Sequence, residues 1–450
     1  MIAWSIFAVG GVYVWGGVPL GVGAAVLAVT GRPRLAASRE TRALDVALLA
    51  ALAAATLQIV PLPAWIRTWI TPHADTLRSS LLLSPDSVSP IYPISLAPWT
   101  TVYALTLVAT AMLVFWVVRQ ACGEGKARFF VRVVAFVGLV AALVAIVQKS
   151  ASPELIYGHW LPQDAGARPF GPFVNRNHFA AWLVMAVPLV IGYVGATVYA
   201  HRPATHIAAQ IATGLRSLGS AALWVAVAGA VMTLALVIST SRSGLIALGA
   251  SLAGGVWIGR GRFTRRVWLF GLLAVTVLGL FVGTYANMTP LLWRLEETLV
   301  VGTGGRPAIW QETLRVVRDF WLTGTGLGSY QAAMIVYQQS DRAVFFNQAH
   351  NQYLHLLAEG GLLLAIPTAA VVVAFIHLFT IRLARDSSSS AWIRIGAAAA
   401  LVAVAVQGLW ETALRMPANG ILFAVAAAIA VHRPLERSEV EAPAPVARGL

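Results

Sequence analysis

The sequence predicts an all-α membrane protein, a polytopic transmembrane bundle of about 11 to 12 spans. Its 450 residues are 58% apolar and only 11% charged, whereas soluble globular chains are about 45–50% apolar and about 25% charged. The apolar residues form long runs separated by short polar connectors, and a helix crosses the hydrocarbon core with about 20 such residues. These observations exclude a soluble enzyme, a disordered chain and a fibrous one.

Ten apolar windows each predict one span, and the shorter ones imply tilt, kinks or burial within the bundle. They cover residues 43–60, 99–118, 129–147, 178–199, 220–239, 244–258, 267–286, 357–380, 395–411 and 418–431. Residues 2–30 add one long span or a tight hairpin, because Gly10, Gly11 and Pro19 weaken a straight helix there. Residues 1–431 are therefore predicted to form a single integral membrane domain. The Pro-, Ala- and Glu-rich tail 432–450 is predicted to be disordered and cytoplasmic.

The basic residues predict how the bundle is oriented. The formal net charge is +14, but these residues are spread over many connectors, which argues against a nucleic-acid partner. One set of alternate connectors holds 19 of the 32 basic residues and the opposite set holds 12, so the richer set is predicted to be cytoplasmic. The other face carries the three longest connectors, 61–98, 148–177 and 287–356, the last of them partly helical. We expect the chemistry to take place there, outside the cytoplasm.

Arginines are the unusual feature of this external face, where the topology rule would deplete them. Arg176 lies in RPFGPFVNRNHFAAW, Arg242 in the tight connector STSRSG, and Arg306 opens the amphipathic helix predicted for GGRPAIWQETLRVVRDFW. The planar fork of arginine matches phosphate oxygens, which favours a site for an anionic lipid headgroup such as a pyrophosphate. The alternative is that they reach interfacial phosphates or pair with Glu296, Glu297 or Glu312. After the helix, Gly324, Gly326 and Gly328 in LTGTGLGSYQ favour a flexible loop over a backbone anion site.

A histidine at the end of the long external loop is the strongest catalytic candidate. His350, in AHNQYLHLLAEGG, precedes a predicted span, and imidazole is the usual general base near neutral pH. The alternative is a helix-capping or interfacial histidine. His355 is expected inside the membrane, and Glu359 or Glu411 would be the next candidates for a base. The single cysteine, Cys122, and the absence of an HExxH motif predict no metal and no other cofactor.

Four motifs in a fixed order resemble the O-antigen ligase and polymerase superfamily. They are SRSG, GRPAIW, TGTGLGSYQ and HNQYLHLLAEGG, and the resemblance runs from about residue 55 to 431. The segments RPFGPFVNRNHFAAW and ETALRMPANGILFAV are similar to exopolysaccharide-associated members. The resemblance implies an inverting, metal-independent glycosyltransferase of the GT-C type in the bacterial inner membrane, with its active site on the periplasmic face. The implied donor is an undecaprenyl-pyrophosphate-linked glycan used in lipopolysaccharide or exopolysaccharide biosynthesis.

The resemblance also implies roles for individual residues. His350 would activate the acceptor, Arg242 and Arg306 would hold the donor pyrophosphate, and Arg176 belongs to a subgroup motif. The other substrate-binding candidates near these motifs are Arg168, Asn175, Asn177, His178, Asn351, Tyr353, Glu359 and Arg415. The acceptor stays open between another lipid-linked glycan, lipid A-core and a protein hydroxyl. A transporter or flippase of an anionic polyprenyl-linked substrate is the alternative function, but it would place ionisable residues at the midplane of broken helices.

Overall fold

The described part of the chain is helical, with one short two-stranded ribbon. The computed structural model describes residues 1–36, 38–81, 91–163, 166–200, 219–262, 306–340 and 345–433. In those ranges the helices are α1 Ile2–Phe7, α2 Val14–Gly31, α3 Arg39–Leu57, α4 Ala64–Ile70, α5 Pro72–Leu81, α6 Pro98–Ala121, α7 Ala127–Ala151, α8 Arg176–Ala200, α9 Ser220–Ile238, α10 Arg242–Ile258, α11 Arg306–Asp319, α12 Tyr330–Tyr337, α13 Gln352–Arg385, α14 Ser390–Gln407 and α15 Pro417–Val431. Strand β1, Pro61–Pro63, pairs antiparallel with β2, Ile91–Pro93.

Six helical stretches of the described chain are long and apolar enough to cross a membrane, so the polytopic helical fold is confirmed. One of these stretches, Pro98–Ala151, contains both α6 and α7. Helices α10 and α15 are apolar but shorter, and α3 carries several charges in its first turns. The predicted span 267–286 and almost all of the tail 432–450 lie outside the described residues. The higher total of 11 to 12 spans therefore stays a prediction.

The N-terminal segment differs from both sequence-based alternatives. It forms the short helix α1 and then one helix of spanning length, α2. The break between them lies at Gly10 and Gly11, whose φ angles are 66° and 72°. Glycine reaches this left-handed region without the steric cost that a Cβ would bring. Pro19, in contrast, lies inside α2 without ending it.

The described connectors alternate between two ends of the bundle. One end, called the site end here, contains the long connectors, and Gln58 after α3 donates there to the carbonyl of Thr323 (2.8 Å). The end across the bundle is called the opposite end. There Gln120 donates to the carbonyl of Gly31 (3.2 Å) and Arg262 to that of Leu383 (2.8 Å). This alternation matches the two sets of connectors that the charge distribution separates.

The centre of the bundle is a close crossing of α8 and α14. A Cβ on Gly192 would lie 2.6 Å from the carbonyl oxygen of Trp392, and one on Gly396 would lie 2.4 Å from that of Pro188. Small residues allow helix backbones to approach closely in a membrane, where packing and not apolar burial drives association. Helix α8 is consequently the most enclosed span, with 83% of its apolar window buried.

The long connectors of the site end form a cap with an apolar core of its own. Its buried members come from α5, α11, α12 and the first turns of α13, and include Leu77, Ile309, Val316, Tyr330 and Ala358. Helix α11, described from Arg306 onward, places Ile309 and Val316 inward, in agreement with the amphipathic helix that the sequence predicts there. The cap therefore holds Arg306 at a fixed position over the bundle.

A break in α13 joins this cap to the membrane helices. Gly361 has φ 53° and ψ −156°, which interrupts the helix in the turn after Glu359. The amides of Leu362 and Leu363 donate instead to the carbonyls of Trp321 and Leu322, both at 2.8 Å. The backbone groups released by the break are thus satisfied by protein, as a low-dielectric environment requires.

Candidate functional site

A fully buried carboxylate lies at the centre of the candidate site. Glu411 follows α14, and its Oε1 accepts hydrogen bonds from Arg306 Nη2 and Asn177 Nδ2, each at 2.7 Å. Its Oε2 lies 3.7 Å from His350 Nδ1. The Glu411 side chain has no exposed surface, while those of Arg306 and His350 keep 24% and 29%. One carboxylate therefore joins a guanidinium and an imidazole that both remain open to a ligand.

The starts of α8 and α10 form one wall of the site. Asn175 precedes α8, and its Oδ1 accepts from the amide of Asn177 (2.8 Å), an arrangement typical of a helix N-cap. Asn177 Oδ1 in turn accepts from the hydroxyl of Ser241 (2.9 Å), the N-cap of α10. Arg242 is the first residue of α10, so Asn177 links it to Glu411 through Ser241.

Two more of the predicted arginines lie on this wall. Arg176 Nη1 donates to Thr240 Oγ1 (2.8 Å), in the turn before α10. The amide of Arg176 donates to the carbonyl of Arg168 (2.9 Å), which places Arg168 on the exposed rim. Arg306 therefore contacts Glu411 directly, whereas Arg176 and Arg242 lie at the starts of α8 and α10, which Asn177 and Ser241 connect to Glu411. Arg306 pairs with Glu411 and not with Glu312, which accepts from the amides of Gln339 and Ser340. The other two glutamates of the sequence-based alternative, Glu296 and Glu297, lie outside the described residues.

His350 is held in a conformation that few side chains adopt. Its φ is 46°, in the left-handed region where histidine is tolerated but strained. The preceding residue, Ala349, accepts a hydrogen bond at its carbonyl from Trp310 Nε1 of α11 (3.0 Å). His350 Nδ1 is buried and, among the described residues, makes no closer polar contact than the one to Glu411. The exposed part of the ring is therefore the part away from Nδ1.

The residues that follow His350 fix it to α14. Asn351 caps α13, its Oδ1 accepting from the amides of Tyr353 and Leu354, both at 3.0 Å. Its Nδ2 donates to the carbonyl of Leu409 (3.2 Å), and the Tyr353 hydroxyl donates to that of Ala405 (2.7 Å). Asn351 and Tyr353, predicted as substrate-binding residues, therefore serve at least to lock the His350 turn next to Glu411.

The charges around Glu411 favour its ionised form. Burial alone would raise the pKa of this carboxyl, but His350, Arg306 and His178 together lower that pKa below its ordinary value. His178 is itself buried, and Asn419 Nδ2 donates to its backbone carbonyl (3.0 Å). A carboxylate that stays charged next to His350 can stabilise positive charge on the imidazole.

Glu359 and His355 form a separate buried cluster. Their side chains lie 3.2 Å apart and are 5% and 2% exposed. The Tyr330 ring packs on His355 with centroids 4.5 Å apart, and its amide donates to Glu359 Oε1 (3.1 Å). These contacts hold the cap on α13 and do not bring Glu359 to Glu411.

The glycines of LTGTGLGSYQ support this cluster instead of an anion. Gly324, Gly326 and Gly328 all have positive φ. Their amides donate within the protein: Gly324 to the carbonyl of Phe320 (2.8 Å), Gly326 to that of Glu359 (3.0 Å), and Gly328 to the Glu359 carboxylate. The segment is therefore hydrogen-bonded to α13. It is not the flexible loop that the sequence predicts, and its glycine amides are not free to form a backbone anion site.

An elongated cavity of about 910 Å³ reaches from the site end into the bundle. Apolar residues such as Leu107, Val108 and Ala51 line its inner part, and polar residues line its mouth. Arg415 is one of the latter, with Nη1 3.4 Å from the carbonyl of Asn347. His178, Asn175 and Glu359 also contact this cavity. A cavity of this volume, lined by both apolar and polar side chains, suits an amphipathic ligand.

Comparison with known families identifies the region that contains these motifs. Residues 227–369 match the family model Wzy_C, described as O-antigen ligase. Residues 227–369 are an O-antigen ligase family domain. A search of curated proteins gives no match. The matched segment contains Arg242, Arg306 and His350, whereas Arg176, Asn177 and Glu411 lie outside it and are brought to the ligase domain by the fold.

Sequence reasoning underestimated Glu411, which it named only as a substitute base. The signal was present, because ETALRMPANG is a charged segment at the end of an apolar window. Its partners, however, lie 105 and 234 residues away along the chain, so no local pattern reveals them.

Within the described ranges no group of three His, Cys, Asp or Glu side chains could hold a metal ion.

Proposed function

We propose that this O-antigen ligase family protein transfers a glycan from undecaprenyl pyrophosphate to an acceptor hydroxyl, with inversion at the anomeric carbon. The observation that carries the proposal is the unit of His350, Glu411 and Arg306 beside Arg242 and Arg176. It combines a base, an ionised carboxylate that orients it, and cations for a leaving pyrophosphate. Family membership supports ligase or glycosyltransferase chemistry on lipid-linked glycans in a multi-pass membrane protein.

The imidazole of His350 acts as the general base in this mechanism. With Nδ1 directed at Glu411 Oε2 (3.7 Å), the tautomer that carries its proton on Nδ1 leaves Nε2 free to accept one. The 3.7 Å gap is longer than a hydrogen bond, and such contacts commonly tighten once substrate is bound. The acceptor O–H gives its proton to Nε2, and Glu411 stabilises the imidazolium that forms.

The arginines act on the donor. As the acceptor oxygen forms a bond to the anomeric carbon, the bond from that carbon to the pyrophosphate oxygen breaks, and negative charge grows on the leaving group. Arg306 uses Nη2 on Glu411 but keeps part of its side chain exposed, so its other N–H groups can bind phosphate oxygens. In this proposal Arg242 and Arg176, at the connected starts of α10 and α8, add positive charge that stabilises the transition state electrostatically.

The cavity beside the site suits a lipid-linked substrate. Its apolar inner part runs between α3, α6 and α13, and its mouth contains Arg415 and Gln348. The hydroxyl of Thr412, next to Glu411, donates to Gln348 Oε1, so the mouth and the catalytic unit share one wall. This proximity supports a lipid-linked glycan or lipid A-core as acceptor class, with the exopolysaccharide-like motifs favouring polymerisation.

Single-turnover transfer tests the proposal directly. Purified protein with an undecaprenyl-pyrophosphate glycan and an acceptor should form one product with an inverted linkage. His350→Asn keeps a residue that tolerates positive φ and should slow transfer about 10²–10⁴-fold. His159→Asn is the matched control, because His159 is exposed in another connector of the site end. Retained configuration, or equal rates in the two variants, would contradict the general-base role.

We place the site end on the periplasmic side of the bacterial inner membrane. The opposite end carries the richer set of basic connectors, including Arg34, Arg119 and Arg385, which the positive-inside rule assigns to the cytoplasm. Cysteines introduced at Ser340 and Gly261 should be labelled from opposite sides, Ser340 from the periplasm. Labelling of both from one side would overturn this orientation.

A transporter of an anionic polyprenyl-linked substrate is the second candidate, and the break of α13 at Gly361 favours it. Transport would not consume the donor or need an acceptor. Formation of product in detergent, without two compartments, distinguishes transfer from transport. Movement of the lipid across proteoliposomes without any transfer activity would support the transporter.

A further inference from the structure

A second large cavity opens at the opposite end of the bundle, away from Glu411. This basin has a volume of about 1090 Å³ and lies where α3 begins and where α2, α6, α13 and α15 end. Its lining combines three carboxylates with six arginines, namely Arg34, Arg39, Arg119, Arg382, Arg385 and Arg433. None of these residues belongs to the proposed transfer site.

Part of this charge is neutralised by carboxylates in the walls. Arg119 binds Asp45 with two hydrogen bonds of 2.7 and 2.8 Å, and Trp116 Nε1 donates to the same carboxylate (2.9 Å). Asp386 is held by Arg394 at 3.1 Å, both side chains being fully buried. These two pairs stabilise the helix ends and leave no free charge toward the basin.

Two of the remaining arginines share a single carboxylate. Glu40 pairs with Arg382 Nη2 at 2.8 Å and also with Arg385 Nη1. Arg382 is 7% exposed, and its Nε is buried without a hydrogen-bond partner in the part of the chain that the structure describes. Arg34 and Arg39 are exposed, and the described ranges provide no carboxylate within ion-pair distance of either. The basin therefore keeps an excess of positive charge.

The first turn of α3 adds to this positive potential. Ser38, Arg39, Glu40 and Thr41 all line the basin, and Ser38 Oγ caps the helix by accepting from the amide of Thr41 (3.3 Å). The N-terminal end of a helix as long as Arg39–Leu57 carries a partial positive charge that favours anions. The exposed guanidinium groups, this helix end and the hydroxyls of Ser387 and Ser388 converge on one space.

We propose that this basin binds the phosphate headgroup of an anionic membrane phospholipid. The arginine fork matches phosphate oxygens, and the basin lies at the ends of spanning helices, the depth at which headgroups are found. Its volume of about 1090 Å³ slightly exceeds the range typical of small-ligand sites, about 300–1,000 Å³, so the basin has room for a phospholipid headgroup. A bound headgroup would offset the excess positive charge of Arg39, Arg382 and Arg385 and would add a second link between α3 and α13 to the pairs that Glu40 makes.

The test uses the full chain in nanodiscs of zwitterionic lipid, to which phosphatidylglycerol or cardiolipin is added. Retention of anionic lipid by native mass spectrometry and the melting temperature are the two readouts. The double variant Arg39→Gln/Arg385→Gln removes exposed basin charges. Its matched control, Arg42→Gln/Arg260→Gln, removes two exposed arginines of the same end that do not line the basin.

Anionic lipid should raise the melting temperature of the unmodified protein and of the control. The basin variant should bind it about fivefold more weakly per arginine removed, the equivalent of about 1 kcal/mol each. Equal losses in both double variants would show general surface attraction and overturn the proposal. Soluble pyrophosphate, added to protein in zwitterionic discs, tests whether free phosphate and not a lipid headgroup is the ligand. If it raised the melting temperature as much as anionic lipid does, the lipid headgroup would be rejected as the ligand.

Discussion

Replacing Glu411 by glutamine tests whether a buried charge supports the proposed base. The change preserves the size of the side chain and removes its negative charge. Its amide oxygen can still accept from Arg306 and Asn177, whose donor atoms lie 2.7 Å from Oε1. What is lost is the attraction between the carboxylate and an imidazolium at His350, 3.7 Å from Oε2.

The size of the effect follows from that separation. Two unit charges about 4 Å apart interact by about 4 kcal/mol at an effective dielectric constant of about 20. This value is an upper limit on the support that Glu411 gives to His350 as the acceptor proton is transferred. We therefore expect Glu411→Gln to slow single-turnover transfer by about 10²–10³-fold, with a smaller effect on donor binding.

The matched control is Glu312→Gln, which changes another buried carboxylate of the site end. Glu312 accepts from the amides of Gln339 and Ser340, at 2.9 and 2.7 Å, and does not contact His350. This variant should lower the melting temperature and leave the transfer rate nearly unchanged. A folded Glu411→Gln protein that transfers within about threefold of the original rate, or equal slowing in both variants, would refute the electrostatic role.

Three further outcomes are expected. Arg242→Ala and Arg306→Ala should each abolish most transfer, and lysine should recover little because it lacks the bidentate fork; near-original rates in both alanine variants, measured with purified donor, would contradict this. Gly324→Ala should lower the free energy of unfolding by more than a strained backbone alone, which costs about 1–3 kcal/mol. The φ of Gly324 is 66°, and an added Cβ would also lie 2.2 Å from the backbone of Glu359. An unchanged melting temperature would contradict this packing. The pKa of Glu411 in the folded protein is lowered from the ordinary value of 4.5. The ionised carboxylate therefore stabilises the fold fully above pH 4.5, and this stabilisation is lost as the pH falls through the pKa of the folded state. The difference in melting temperature between the original protein and Glu411→Gln should accordingly vanish only in acid.

The sequence could predict the helical elements, because their signals are local. A window of about 20 apolar residues identifies a spanning helix wherever it lies, and nearly all the windows correspond to helices of the described chain. The amphipathic helix predicted for GGRPAIWQETLRVVRDFW corresponds to α11. The division of charge between alternate connectors predicts the two ends of the bundle, because each span reverses the direction of the chain. His350, Arg242 and Arg306 could be proposed for the site because short motifs carry them.

Only the tertiary structure decides what those residues contact. Glu411 becomes the partner of Arg306 and Asn177 because α8, α11 and the end of α14 meet there, and their sequence separation leaves no local trace. The same is true of the Tyr330 amide, which packing brings to Glu359 Oε1 from 29 residues away. The burial of Glu411 also depends on the fold. Its carboxylate is fully enclosed because the neighbouring helices exclude water from it, which the residue itself cannot do.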